Sequence, residues 1–171
     1  MGKPQLPLDH PHAALCWSVS HTGQQLLVIV GQDRKVGIDL ESFSRPIEVE
    51  NLAKRYFTEI EYSDVYRAQA HLKHEVFLKI WTAKEAVSKA TGRGLSGSLS
   101  TCEVRCQPGE TRALVLDRGE DPHREWSIAY CEPWPGFLSA ATVEGGSLDV
   151  SCWDLTLDVA RGWLAATDTL A

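Results

Sequence analysis

The chain has 171 residues, 43% of them hydrophobic and 23% charged, and a formal net charge of -6. That supports one domain with a real core, or two very small lobes, and excludes global disorder. The acidic balance argues against nonspecific nucleic-acid binding, which needs a basic surface, but leaves room for a small phosphorylated ligand held by a few local cations.

Residues 1–14 are rich in Pro and His and read as an extended lead-in without the apolar stretch of a secretory signal. "ALCWSVS" at 14–20 alternates as a strand does, "HTG" turns the chain, and "QLLVIV" at 25–30 reads as a buried strand. The aliphatic run at 26–30 is far too short to cross a bilayer. "GQDR" suits a hairpin connection to a third strand, "KVGIDLE" at 35–41, so residues 15–41 are expected to form a small antiparallel sheet.

"EVENLAKRYF" at 48–57 places Val49, Leu52, Ala53, Tyr56 and Phe57 at helical spacing. Thr58 and Glu61 have the spacing of a capping box, so a second helix is expected to start there and run toward residue 70. A long helix is expected over 73–91, ended by Gly92 and Gly94. Short strands return as "STCEVRC", "TRALVL", "WSIAYC" and "FLSAATV" between 100 and 143, and "LTLDVARGWLAA" suits a terminal helix that covers an edge. The expected class is α+β, with helices packed on a small, mainly antiparallel sheet. The organisation is a lead-in over 1–14, a lobe over 15–145 and an extension over 146–171. The five cysteines are odd in number and contain no CxxC pair, which points to free thiols in a reducing cytoplasm rather than a zinc or disulfide framework.

Two stretches carry chemistry. In "VGIDLE", Val36, Ile38 and Leu40 share one strand face, while Gly37, Asp39 and Glu41 share the other. The two carboxylates stand about 7 Å apart along the strand, and oxygen donors of this kind suit Mg²⁺ when phosphate oxygens complete its shell. Gly37 leaves room beside them. The plain alternative is an acidic, solvent-facing strand. In "WTAKEAVSKATGRGL", a broad arc of Val76, Phe77, Ile80, Ala83, Ala86, Val87 and Ala90 docks the helix, and Leu78, Trp81, Glu85 and Lys89 fall on another face. Glu85 and Lys89 are an i,i+4 pair, worth roughly 0.2–0.5 kcal/mol to a helix without any ligand. An indole and a Leu beside that pair also suit a groove in which Glu85 joins Asp39 and Glu41 on Mg²⁺ and Lys89 reaches a phosphate. Gly92, Arg93 and Gly94 follow as a place for close backbone approach, although no Walker A loop is present. His21 either donates to a phosphate or caps its turn. Lys3 either meets an anion or belongs to a flexible entry.

Taken in order, "GKP…SVSHTG…VGIDLE…LAKRYFTEIEY…FLKIWTAKEAVSKATGRGL" resembles the 4'-phosphopantetheinyl transferase superfamily, closest to the second lobe of its two-lobed type. The likeness is strong over residues 2–105 and less specific over 126–142. It implies transfer of 4'-phosphopantetheine from coenzyme A to a serine of an acyl or peptidyl carrier protein, with release of adenosine 3',5'-bisphosphate. By the same resemblance Asp39, Glu41 and Glu85 are the Mg²⁺ carboxylates, and Lys89 and His21 approach the coenzyme A phosphates. Lys3 and Pro4 match the segment at the adenosine end. Glu61 matches a glutamate of the "FxxxEY" segment, which implies a part in proton removal or in holding a metal-bound water, in competition with its capping role; Glu85 is the other candidate base.

Two-lobed relatives carry another lobe's length before GKP, which here begins at residue 2. Three expectations stay open: a wall supplied by self-assembly, a shortened product or fragment with poor activity, and a first lobe supplied by a separate protein or lost to a start drawn too late. A noncatalytic remnant that binds coenzyme A or a carrier protein is the alternative. A basic patch of Lys54, Arg55 and Arg67 suits an acidic carrier. No nucleic-acid or membrane partner is expected.

Overall fold

A turn at Gly23, where φ is +59°, folds Leu15–Thr22 (β1) back on Gln25–Gln32 (β2) with Thr22 opposite Gln25. Glycine at the first of two central positions suits the positive φ such a tight hairpin requires. The computed structural model describes residues 6–7, 9–94, 99, 101–106, 109–117, 125–146, 148 and 150–154. The expected terminal helix and the GKP segment lie outside those residues.

The chain continues through Val36–Ser42 (β3), three helices at Val49–Tyr56 (α1), Glu59–Arg67 (α2) and Lys73–Thr91 (α3), and four strands at Cys102–Arg105 (β4), Arg112–Asp117 (β5), Glu125–Cys131 (β6) and Phe137–Glu144 (β7). These elements fall where the hydrophobic periodicity places them. The caps explain the helix limits. Thr58 and Glu61 form a full capping box at the start of α2, and Gly92, with φ +75°, ends α3 in the left-handed conformation.

The topology departs from the expectation in one respect. Residues 15–41 do not make one three-stranded sheet. β1 and β2 form a separate two-stranded ribbon, and β3 joins an antiparallel five-stranded sheet in the order β3-β7-β6-β5-β4. β3 runs beside β1 without a backbone ladder, because serine hydroxyls replace it: Ser18 Oγ accepts from Ile38 N at 3.3 Å and Ser20 Oγ from Leu40 N at 3.1 Å. The "GQDR" stretch is thus a crossing from ribbon to sheet, with Asp33 at φ +55°.

β3 is also buried on both faces, Asp39 and Glu41 included. The plain alternative of a solvent-facing acidic strand does not hold, because that face lies beneath α3. A Cβ on Gly37 would collide with the Ala86 carbonyl oxygen and come within 2.9 Å of both Ala86 C and Ala90 N. The room expected beside Gly37 is therefore filled by helix backbone. α3 is correspondingly buried nearly all round, since α1, α2 and β4 pack on its far side. Leu78, whose face suited either a second packed element or a groove, is fully buried, and Phe57, Phe77 and Trp81 stack in series with centroids 5.2 and 5.7 Å apart.

The ribbon contrasts with this. Neither β1 nor β2 contains a charged residue, yet Val19, Leu26, Val28 and Val30 are exposed. All five cysteines are free thiols; Cys102 is buried and Cys152 exposed. Among the described residues no helix is long and apolar enough to cross a membrane.

The contact at Gly37 sets a test of the packing. Gly37→Ala should force α3 off β3 and lower the unfolding free energy by about 1–3 kcal/mol, the usual cost of overpacking, read by denaturant melts. A variant as stable as the parent would show that α3 is not seated on β3 as described.

Candidate active site

The approach of α3 to β3 creates a pocket of about 380 Å³. Val19, Ser20, His21 and Thr22 line it from β1, Asp39, Leu40 and Glu41 from β3, and Trp81, Glu85 and Lys89 from α3, with Arg45 in the loop after β3. Trp81, Glu85 and Lys89 are four residues apart, so each successive turn of the helix presents one of them to the same side. The indole of Trp81 is not simply wet: it stacks on Phe77 and meets Tyr56 edge-on at 5.8 Å while still lining the pocket.

The ion pairs are specific. Lys89 Nζ donates to Asp39 Oδ1 at 2.8 Å and to Ser20 Oγ at 2.9 Å, and Ser20 Oγ donates to the same Asp39 oxygen at 3.0 Å. The lysine sits in the last turn of α3, where the helix dipole favours a cation. Arg45 Nη1 donates to both oxygens of Glu41 at 2.9 Å. The Glu85 side chain makes no hydrogen bond or ion pair with a described residue; burial first, then the charges of Asp39 and Glu41, push its carboxyl from 4.5 up to about 7, against the pull of Lys89. These are the terms expected when like charges share a partly desolvated pocket.

The donor set fits a hard divalent cation. Three carboxylates line one pocket, and Asp39 Oδ2 is buried with no hydrogen-bond partner, although its other oxygen has two. Such an oxygen is costly to bury unless something positive or protic meets it. Among the described residues, however, no three acidic, His or Cys side chains are already drawn together as a metal cage. Asp39 and Glu41 stand on Lys89 and Arg45 instead.

Glu61 is elsewhere. It does not line this pocket and is fully buried; Thr58 N donates to its Oε2 at 2.7 Å, Val104 N to its Oε1 at 2.7 Å, and Lys84 Nζ pairs with it at 2.7 Å. Lys84 also donates to the carbonyls of Leu99 and Cys102, and burial pulls its ammonium below the ordinary lysine value against the opposing pull of Glu61. The geometry favours the capping role for Glu61. His21 is exposed at the pocket rim, whereas Lys3 and Pro4 are outside the described residues. Sequence reasoning missed Ser20 and Arg45. Alternation along β1 puts Ser18 and Ser20 on one side, a signal for Ser20; Arg45 has none beyond standing four residues after Glu41.

The acidic strand and the helix that bears Glu85 and Lys89 both lie in the segment that shows the family. Residues 35–134 match the family model described as the 4'-phosphopantetheinyl transferase superfamily. This chain belongs to that superfamily. It is 31% identical to the 4'-phosphopantetheinyl transferase HetI of Nostoc sp., over 89% of this chain and 61% of that protein. It is 32% identical to the 4'-phosphopantetheinyl transferase Sfp of Bacillus subtilis, over 81% of this chain and 58% of that protein. The chain thus spans less than two thirds of the length of either relative. A solved holo-[acyl-carrier-protein] synthase of Thermotoga maritima aligns with a TM-score of 0.48 and 24% identity, over 64% of this chain and 62% of its own.

Two outcomes check this site. Glu85 is protonated in both folded and unfolded chains below pH 4.5, and its ionisation costs the folded, metal-free protein progressively as pH rises to about 7. Glu85→Gln should therefore match the parent's stability near pH 4 and exceed it at pH 8 by about 1–2 kcal/mol, the partial exposure of the side chain having reduced the full effect. Lys84→Ala should cost about 3–5 kcal/mol in the same melts, because it strands Glu61 as an unpaired buried charge.

Proposed function

We propose that this chain carries the catalytic face of an enzyme that moves 4'-phosphopantetheine from coenzyme A to a serine of an acyl or peptidyl carrier protein, releasing adenosine 3',5'-bisphosphate. The observation that carries this reading is the meeting of Asp39, Glu41, Glu85 and Lys89 in one pocket, on the segment that matches the superfamily. The names of its relatives HetI and Sfp support it. The chain corresponds, on this reading, to the second lobe of the two-lobed, holo-carrier-protein synthase type, acting in the cytoplasm where coenzyme A and carrier proteins meet.

Asp39, Glu41 and Glu85 would hold Mg²⁺. When bound, such a cation orients the pyrophosphate of coenzyme A and offsets the charge that grows on it as the serine oxygen attacks phosphorus and the bisphosphate departs. Lys89 donates to a phosphate oxygen as a point charge, adding to that stabilisation. His21, exposed at the rim, is placed to donate to a second phosphate. The serine proton goes to Glu85, directly or through water, since Glu85 faces the pocket. Glu61 serves by holding α2, α3 and β4 together. Lys3 and Pro4 take the adenosine end of the coenzyme. The carrier approaches the basic residues Lys54, Arg55 and Arg67, which are all exposed. Val19 and His21 belong both to the pocket and to the uncharged ribbon, so a second copy of the chain or a separate first lobe would complete the wall there.

Incubation with coenzyme A, Mg²⁺ and apo carrier protein should add phosphopantetheine to the carrier serine, read by intact mass. Asp39→Ala should lose that adduct by at least about 100-fold while keeping its circular dichroism spectrum, in keeping with removal of a preorganised charge partner. Undiminished transfer by a folded Asp39→Ala protein would sink the metal assignment. Coenzyme A binding without any adduct would instead support a noncatalytic binding protein.

A further inference from the structure

The guanidinium of Arg45 is the pocket's second permanent cation, and the mechanism above gives it no task. It is held for a purpose that a loose surface arginine would not need. The loop that carries it is tied down at three points: Arg45 N donates to Ser42 O at 3.2 Å, Ser44 N to Ser42 Oγ at 3.2 Å, and Phe43 N to Gly136 O at 2.9 Å. Phe43 also packs edge-on against His74. From this rim the arginine side chain, 59% exposed, reaches in to Glu41, which is only 10% exposed, and one nitrogen meets both carboxylate oxygens. Glu41 is a residue whose oxygens a divalent cation would need.

We propose that Arg45 is an exchangeable counter-ion. It neutralises Glu41 while the pocket holds no divalent cation; when a cation takes Glu41, the released guanidinium turns to a phosphate oxygen of the incoming ligand. The inference rests on the reading that this pocket takes a divalent cation and a pyrophosphate-bearing ligand. Charge supports the exchange. Asp39, Glu41 and Glu85 carry three negative charges when ionised, and Lys89 and Arg45 carry two positive ones. The pocket is thus negative by one before a divalent cation arrives and positive by one afterwards. The first state attracts the metal, and the second attracts the phosphate. Arginine suits the second partner because its planar fork matches phosphate oxygens, and its exposure lets it turn without burying an unpaired charge.

Removing Arg45 should therefore move two affinities in opposite directions. Without it the empty pocket is negative by two and the metal-filled pocket is neutral. Titration calorimetry of R45A should show Mg²⁺ bound about three- to tenfold more tightly than by the parent, and inorganic pyrophosphate, at saturating Mg²⁺, bound about three- to tenfold more weakly. R45K keeps the charge and should fall between the two. R45Q repeats the test with a longer side chain if R45A does not fold. Affinities that stay unchanged, or that fall together, would overturn the proposal, as would a parent protein that binds neither probe. A parent that binds Mg²⁺ and pyrophosphate with the expected responses, yet transfers nothing from coenzyme A, would support the counter-ion role and sink the transferase reading alone.

Discussion

The close seating of α3 on β3 at Gly37 is the constraint on which the rest of the molecule depends. A side chain at that position would occupy the space of the Ala86 carbonyl, so the helix reaches the strand only because there is none. Small residues on the facing helix surface, Ala83, Ala86 and Ala90, make the same concession from the other side, and all three are buried. With the backbones this near, residues one turn further along meet across the gap. Asp39 and Lys89 come within 2.8 Å, and Glu85 is carried into the same pocket.

Such an approach fixes distance but not rotation. The angle of α3 about its own axis is held by Lys84, which reaches away from the pocket into a fully buried cluster with Glu61 and the carbonyls of Leu99 and Cys102. Neighbouring residues on a helix point about 100° apart, so anchoring Lys84 on one side directs Glu85 to another. The Phe57–Phe77–Trp81 stack holds the N-terminal half of the helix in the same orientation. A carboxylate with no partner, pushed up to about 7, and an unpartnered buried oxygen on Asp39 are the electrostatic result. Unpaired polar groups in a desolvated site cost free energy. A ligand that brings positive charge relieves both.

The ribbon shows the opposite character. Its sixteen strand residues carry no charge, and it attaches to the sheet by serine hydroxyls rather than by a ladder. Charged residues are the usual protection of such an edge, and here they are missing. β1 also gives Ser20 to the Lys89–Asp39 contact and His21 to the rim, so the ribbon forms one side of the pocket.

Local chemistry was sufficient to read most elements in the sequence. The capping box at Thr58 and Glu61, the left-handed Gly92, and the 3.6-residue period of α3 depend on neighbours a few residues apart, and all stand where the pattern puts them. The pairing of "VGIDLE" with the helix of Glu85 and Lys89 was implied by the family resemblance, whereas the spacing of those residues alone left a solvent-facing strand and a plain i,i+4 pair open. What the tertiary structure alone decided was partnership. Alternation along β3 separates Gly37, Asp39 and Glu41 from the apolar residues, but it does not say that this second face is covered; that follows from the packing of α3 on β3, where Lys89 meets Asp39 from 50 residues away in the chain. The same holds for Glu61, whose spacing fitted two roles until Lys84 and Val104 took its oxygens, and for Arg45, which no pattern marks. Periodicity records which side of an element a residue occupies. Only the folded chain determines what stands opposite, because that partner is chosen by packing between segments distant in sequence.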